Sequence, residues 1–400
     1  MRMPAALIAA ASALALAAPV HAKTLAVSGG EGAQARLQEA LILAQPGDTV
    51  ELAAGWYALS DGLSLDVPNV VVRGAGMDET ILDFTEQKGG AQGFLVTSDD
   101  VTLRDFAVVN PKGDGIKSKG ADNIVYYRVR VHWVGGPKTT NGAYGLYPVE
   151  STGVLIDGVK ISGSSDAGIY VGQSKDITVR YSLVENNVAG IEIENSRDAV
   201  VTHNLVTRNT AGILVFDLPG LPVVGGGRTV VVNNTVVDND VPNFAPKGNI
   251  VGSVPRGVGI MVMANEDVLV EGNTLANNST AQVMVVSYPQ KFEDKRYNPA
   301  PRRIAIGANT YIGGGDDPDI PGGAAIKAAL GGRLPPVVWD GLGADAIVPG
   351  ADFAALSLGL PAQGVSTEQA QPAPVAFKRG KLATPAIAGA PAALESRLQR

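Results

Sequence analysis

Apolar residues alternate in short runs along most of the chain. Between positions 153 and 218 three consecutive segments align: GVLIDGVKISGSSDAGIYVGQS, KDITVRYSLVENNVAGIEIENS and RDAVVTHNLVTRNTAGILVFDL. Each carries a Gly-Ile pair, beginning at Gly168, Gly190 and Gly212, every one 22 positions after the last. A fixed period of that size marks a solenoid. Within each segment Ile169/Val171, Ile191/Ile193 and Ile213/Val215 alternate with the period of a strand, not of a helix. Gly, Asn, Ser and Asp break the runs into short strands. Twenty-two residues suffice for three short strands and three corners, one coil of a parallel β-helix.

The marker recurs as Gly93-Phe94, Gly115-Ile116, Gly145-Leu146 and Gly259-Ile260, so the coils span most of the chain. The pattern predicts an all-β fold, a parallel β-helix of about 9–10 coils with a period of about 22 residues. A single coil has no partner for its inner face, so the array folds only as a stack. Ahead of it, Leu37, Ala40, Leu41 and Ala44 form a helical stripe ended by Pro46-Gly47. A short helix there would cover the free strand edges of the first coil.

The run AQARLQEALILAQPGDTVELAAGWY, residues 33–57, resembles the opening of right-handed parallel β-helix proteins of the pectate-lyase-like superfamily. The 22-residue units resemble their repeats, and the likeness is nearest to an exported bacterial subfamily without an assigned role. It covers residues 25–312 and implies the fold more strongly than an activity. The expected organisation is an export signal at 1–22, a cap and first coil at 23–62, and the β-helix at 63–312. A C-terminal cover at 313–360 and a weakly ordered tail at 361–400 follow.

Arg2, the apolar run from Ala5 to Ala18 and the small residues around Val20-His21-Ala22 read as a cleavable signal, placing the mature protein in the periplasm or outside the cell. That run is too short for an ordinary membrane span, and none is expected later. Without cysteine there are no disulfides or thiol chemistry. A net charge of −7, with no basic helix, argues against nucleic acid as a partner.

Insertions at 132–143, 217–227, 240–257 and 287–302 flank the Gly-Ile strands, which are therefore expected to floor a groove between longer loops. Strand alternation then points one column outward: Lys117, Tyr147, Tyr170, Glu192, Leu214, Met261 and Met284. A second column holds Lys119, Gly172, Glu194, Phe216 and Met263. Tyrosines for stacking, with carboxylates and lysines for hydrogen bonds, suit a polysaccharide or oligosaccharide.

Three functional readings stay open. In the first, Lys117 and its basic neighbours neutralise a uronate carboxylate while His132, Tyr147 and Tyr170 move the adjacent proton, as a lyase or epimerase requires. In the second, Glu192 and Glu194, about 6.6 Å apart along one strand face, act as the carboxyl pair of a glycoside hydrolase. In the third, the face binds glycan or another exported protein without catalysis. Measured against the superfamily, the Asp-Pro-His-Asp run of alginate epimerases is missing, Asp317-Pro318-Asp319 lacking the histidine. Gly113 to Ile116 and Ser165 to Ile169 resemble polygalacturonase segments, whose Gly-His-Gly companion is absent. No catalytic set carries over. No cofactor is expected; the acidic run at 313–319 is the one candidate for Ca²⁺. Asn204, Asn234 and Asn273 fall at one corner and predict a structural amide ladder.

Overall fold

The computed structural model describes residues 22–365, 369–381 and 389–399. The expected export signal falls, apart from its last residue, outside them. The chain winds into a parallel β-helix. A central coil contributes Ala189–Glu194 to a 12-stranded sheet, and Lys175–Arg180 and the shorter Leu183–Glu185 to a 20-stranded sheet. Ile169 pairs with Ile191, Ile191 with Ile213 and Ile213 with Ile260, so one aliphatic column runs along the interior.

The Gly-Ile marker has a steric cause. Gly168, Gly190 and Gly212 stand where a side chain would enter the interior, because a Cβ would lie 2.5, 2.5 and 2.6 Å from a γ-methyl of Val184, Val206 and Val236. The following isoleucine also points in. Two successive residues face the core, and strict alternation fails at that point. The residue before each glycine therefore joins the outer face, where Ala167, Ala189 and Ala211 pack with Tyr170 and Leu214.

Corners are closed by amide ladders. Asn204 donates to Asn234, Asn234 to Asn273 and Asn273 to Asn309, each at 3.0 Å. A second ladder, from Asn187 through Asn209 and Asn239 to Asn278, has bonds of 3.0, 2.9 and 3.1 Å. The corner residues just before them, such as Tyr181, His203, Asn186 and Arg208, have φ of 53° to 59°. This left-handed geometry turns the chain at each rung.

At the N-terminal end the helix Ala33–Leu43 buries Leu37 and Leu41 in the core. Its Gln38 accepts from the Ser64 amide and donates to the Ser64 carbonyl, so helix side chains occupy hydrogen-bonding positions of the first strand, Leu63–Leu65.

Two expectations are corrected at the other end. The stack does not stop at Ile312: Val337–Trp339 and Phe353–Ser357 extend the 12-stranded sheet in parallel, and Ile347–Pro349 pairs with Ile304–Ile306. Nor is the described part of the tail free of packing. Ala373–Phe377 pairs antiparallel with Phe353–Ser357. Leu394 packs on Val125 and Leu155, while Arg180 holds Glu395 at 2.6 and 2.7 Å. Isolated Pro-rich sequence carries no periodicity to signal such docking.

Candidate functional site

The outer face of the 12-stranded sheet carries the site. Tyr147 stands beside Lys117, Tyr170 beside Glu192, Glu192 beside Leu214, and Leu214 beside Met261, which meets Met284. The predicted column exists, but from Tyr170 onward it is buried. Segments from the later insertions and the stretch before Val337 fold over it, contributing Val251, Tyr288, Tyr297 and Leu334 to one apolar cluster with Leu214, Phe216 and the methionines. An open groove was expected; the roof is the correction. Its cause is a floor made apolar at Leu214, Phe216, Met261, Met263 and Met284, which gains by being withdrawn from water.

Between floor and roof lies a cavity of about 560 Å³. Its chemistry is divided. One end presents Asp166, Glu192 and Glu194 with Tyr144 and Tyr170; the rest is lined mainly by Leu, Met, Val, Ile and Phe. The three tyrosines make a compact aromatic group. Tyr144 lies 4.6 Å from Tyr147 and 4.7 Å from Tyr170, and Tyr147 meets Tyr170 edge-on at 4.9 Å. Lys117 sits over the Tyr147 ring at 4.2 Å, a cation–π contact. Lys117, Tyr144 and Tyr147 are half-buried, so this end is nearer solvent.

The carboxyls are held far from their ordinary state. Burial pushes Asp166 up to about 7, opposed by the side chains of Tyr144 and Asn249 and reinforced by the charge of Asp114. Glu194, which accepts the Tyr170 hydroxyl, is raised to about 8 by burial and by Asp166 and Asp217. Glu192 is only 3% exposed. Burial, with the charge of Asp166 added, lifts it well above the usual carboxylate range. Among the described residues no hydrogen bond reaches its carboxyl. Asp114 and Asp217 flank the group, each raised to about 6 by burial. Asp217 is locked by the Gly226 amide at 2.7 Å and the Asn265 side chain at 2.8 Å. Burial thus holds all five carboxyls above their ordinary range, as paired acid–base chemistry at one site requires.

The structure brings Lys117, Tyr147, Tyr170, Glu192 and Glu194 to this one face. It does not bring His132. That residue ends the strand Ile124–His132 of the other sheet, laddered to Val109 and Ser162, and does not open the first insertion. Its imidazole is lowered by burial and by Arg130, and Asp83 is the acid that faces it. Lys119 pairs with Glu150 at 3.7 Å instead of joining the acids. Asp114, Tyr144, Asp166 and Asn249 were missed as site residues. The first two precede a glycine, where strict alternation would turn them inward, whereas the inward glycine sends them outward; Asn249 arrives on a roof loop. In the acidic run at 313–319, Asp317 and Asp319 take the Arg256 guanidinium and backbone amide at 2.7 and 3.0 Å. Among the described residues no group of three acidic or histidine side chains is placed to hold a metal ion.

No curated protein matches the sequence. The family model described as "Right handed beta helix region" matches residues 70–236. Among solved structures, the A-module of the mannuronan C-5 epimerase AlgE6 of Azotobacter vinelandii is similar at 18% identity, with 81% of this chain and 89% of that chain covered and a TM-score of 0.51. The N-terminal fragment of gene product 12 of bacteriophage Phi29 is similar at 15% identity, covering 80% and 60%, with a TM-score of 0.52. At such identities the likeness concerns the fold, and on that fold, the matched model and the laddered coils, the chain is a right-handed parallel β-helix repeat protein.

Proposed function

We propose that the protein is an exported carbohydrate-active β-helix that holds a sugar against Tyr144, Tyr147 and Tyr170 and cleaves a glycosidic bond with its carboxyl group cluster. The observation that carries this reading is the pairing of Asp166 with Glu192. Both carboxyls border one cavity beside the tyrosine group, both are raised by burial, and among the described residues no hydrogen bond reaches that of Glu192. Water adds to the anomeric carbon as Asp166 takes its proton. The bond to the leaving oxygen breaks as that oxygen receives the proton of Glu192, and exchange with solvent restores both carboxyls. Glu194, held by Tyr170, is positioned to accept a sugar hydroxyl.

The uronate reading loses support because His132 stands on the other sheet, away from this face. Mannuronan, named for the epimerase module, is the substrate of a protein sharing only the fold.

The test is release of reducing ends from neutral glycans and aryl glycosides, with unsaturated products from uronic polymers read in parallel. Glu192→Gln and Asp166→Asn are expected to lower hydrolysis at least 10²-fold, the scale of acid–base assistance. Tight glycan binding with neither product would leave the non-catalytic binding reading.

A further inference from the structure

Asp166, Glu192, Glu194, Tyr144 and Tyr170 occupy one end of the cavity; at the other, Asp340 also lines it, its carboxyl taken by the Ser287 and Leu342 amides. From Leu214 the floor continues through Met261 and Met284, with Phe216 and Met263 beside them, all at most 8% exposed to solvent. Val251 and Val254, from the insertion at 240–257, pack against it. A polysaccharide has no use for such a surface. Sugar hydroxyls placed against Leu, Met and Phe would lose their water and find no partner, at a net loss of affinity. Glu192 marks the frontier. It is buried, unpartnered and on the ladder rung next to Leu214, so whatever lies over Leu214 brings a polar atom to Glu192.

We infer that the cavity takes the apolar tail of an amphiphilic glycoside, its glycosidic oxygen at Glu192 and its chain lying along Leu214, Met261 and Met284. This rests on the glycan reading above and narrows the substrate from a polysaccharide to a sugar joined to an aliphatic or similarly apolar group. The apolar floor runs along the stack as two adjacent columns, long enough for an extended chain. From Glu192 to Met284 it advances three rungs, about 14 Å at about 4.8 Å per rung. Methionines at two of those rungs adapt to a flexible guest.

The experiment is a calorimetric binding series on the wild-type protein with methyl, butyl, hexyl and octyl glucosides below their micelle concentrations, beside 1-hexanol and 1-octanol as tails without a sugar. Each methylene is expected to tighten Kd about fourfold, or about 200-fold from butyl to octyl, if the whole added chain is buried. Met261→Trp, which fills the floor, is expected to abolish that slope while leaving methyl glucoside binding unchanged. Should the variant fail to fold, the wild-type slope still decides. Kd values that stay flat from methyl to octyl glucoside overturn the inference and leave the sugar site standing. No binding of any glucoside or alcohol overturns it as well. Alcohols that bind with the same slope and as tightly as the glucosides support the tail site while removing the sugar reading.

Discussion

Two adjoining stretches of one sheet face have become opposite environments. At Lys117, Tyr147 and Glu192 the outward residues are polar or aromatic and one end stays near solvent; at Leu214, Met261 and Met284 they are apolar and roofed. Backbone, register and interior column are the same in both. A solenoid face therefore has no character of its own. A single outward residue per coil, and the loop that coil attracts, decide whether a rung is chemistry or packing.

The difference can be broken in several places. The largest effect is expected at the frontier itself: Glu192→Gln lowers turnover at least 10²-fold while Kd for a bound glycan changes little, a split between kcat and KM that mere loss of structure would not give. On the apolar side, Leu214→Ala is expected to reduce unfolding free energy by about 2–4 kcal/mol, as removal of a buried leucine does. Chemical denaturation measures it.

Acidity sharpens the contrast. Asp166 and Glu194 have ordinary values of 3.8 and 4.5 and are raised to about 7 and about 8 in the fold. Raised carboxyls stabilise the native state in their protonated form. That contribution is complete below about pH 4 and fades as pH rises through 7 and 8, where the unfolded chain has already ionised. The melting temperature should therefore fall between pH 5 and 8. Glu192→Leu, which moves the apolar column one rung back, should flatten the decline and stabilise by on the order of 2 kcal/mol at pH 8, because an unpartnered buried carboxyl is gone. A profile unchanged by that substitution would contradict the assignment. The smallest effect belongs to the open end. Tyr147→Ala should stay within about 1 kcal/mol of wild-type stability yet weaken sugar binding in titration.

Much of the fold could be read from the residues alone because a period of 22 preserves register: knowing Gly168-Ile169 places Tyr170 against Glu192. The same rule would turn Tyr144 and Asp114 inward, whereas the glycines after them face the opposite wall, where Ile161 and Val131 leave no room for a side chain. The roof escaped notice for a different reason. Asn249, Val251 and Leu334 meet the floor from long loops, and nothing local encodes which rung they cover. His132 looked like a loop residue because its strand is longer than its neighbours, pairing with two successive strands of the next coil in one register.

The amide ladders carry one further consequence. Their rungs join residues separated by 22, 30, 36 or 39 positions of sequence, yet the bonds all lie between 2.9 and 3.1 Å. The corner is indifferent to how much polypeptide leaves and returns between rungs. New loops can thus be acquired, lengthened or exchanged over the active face without renegotiating the stack beneath, making this scaffold a natural recipient for grafted specificity.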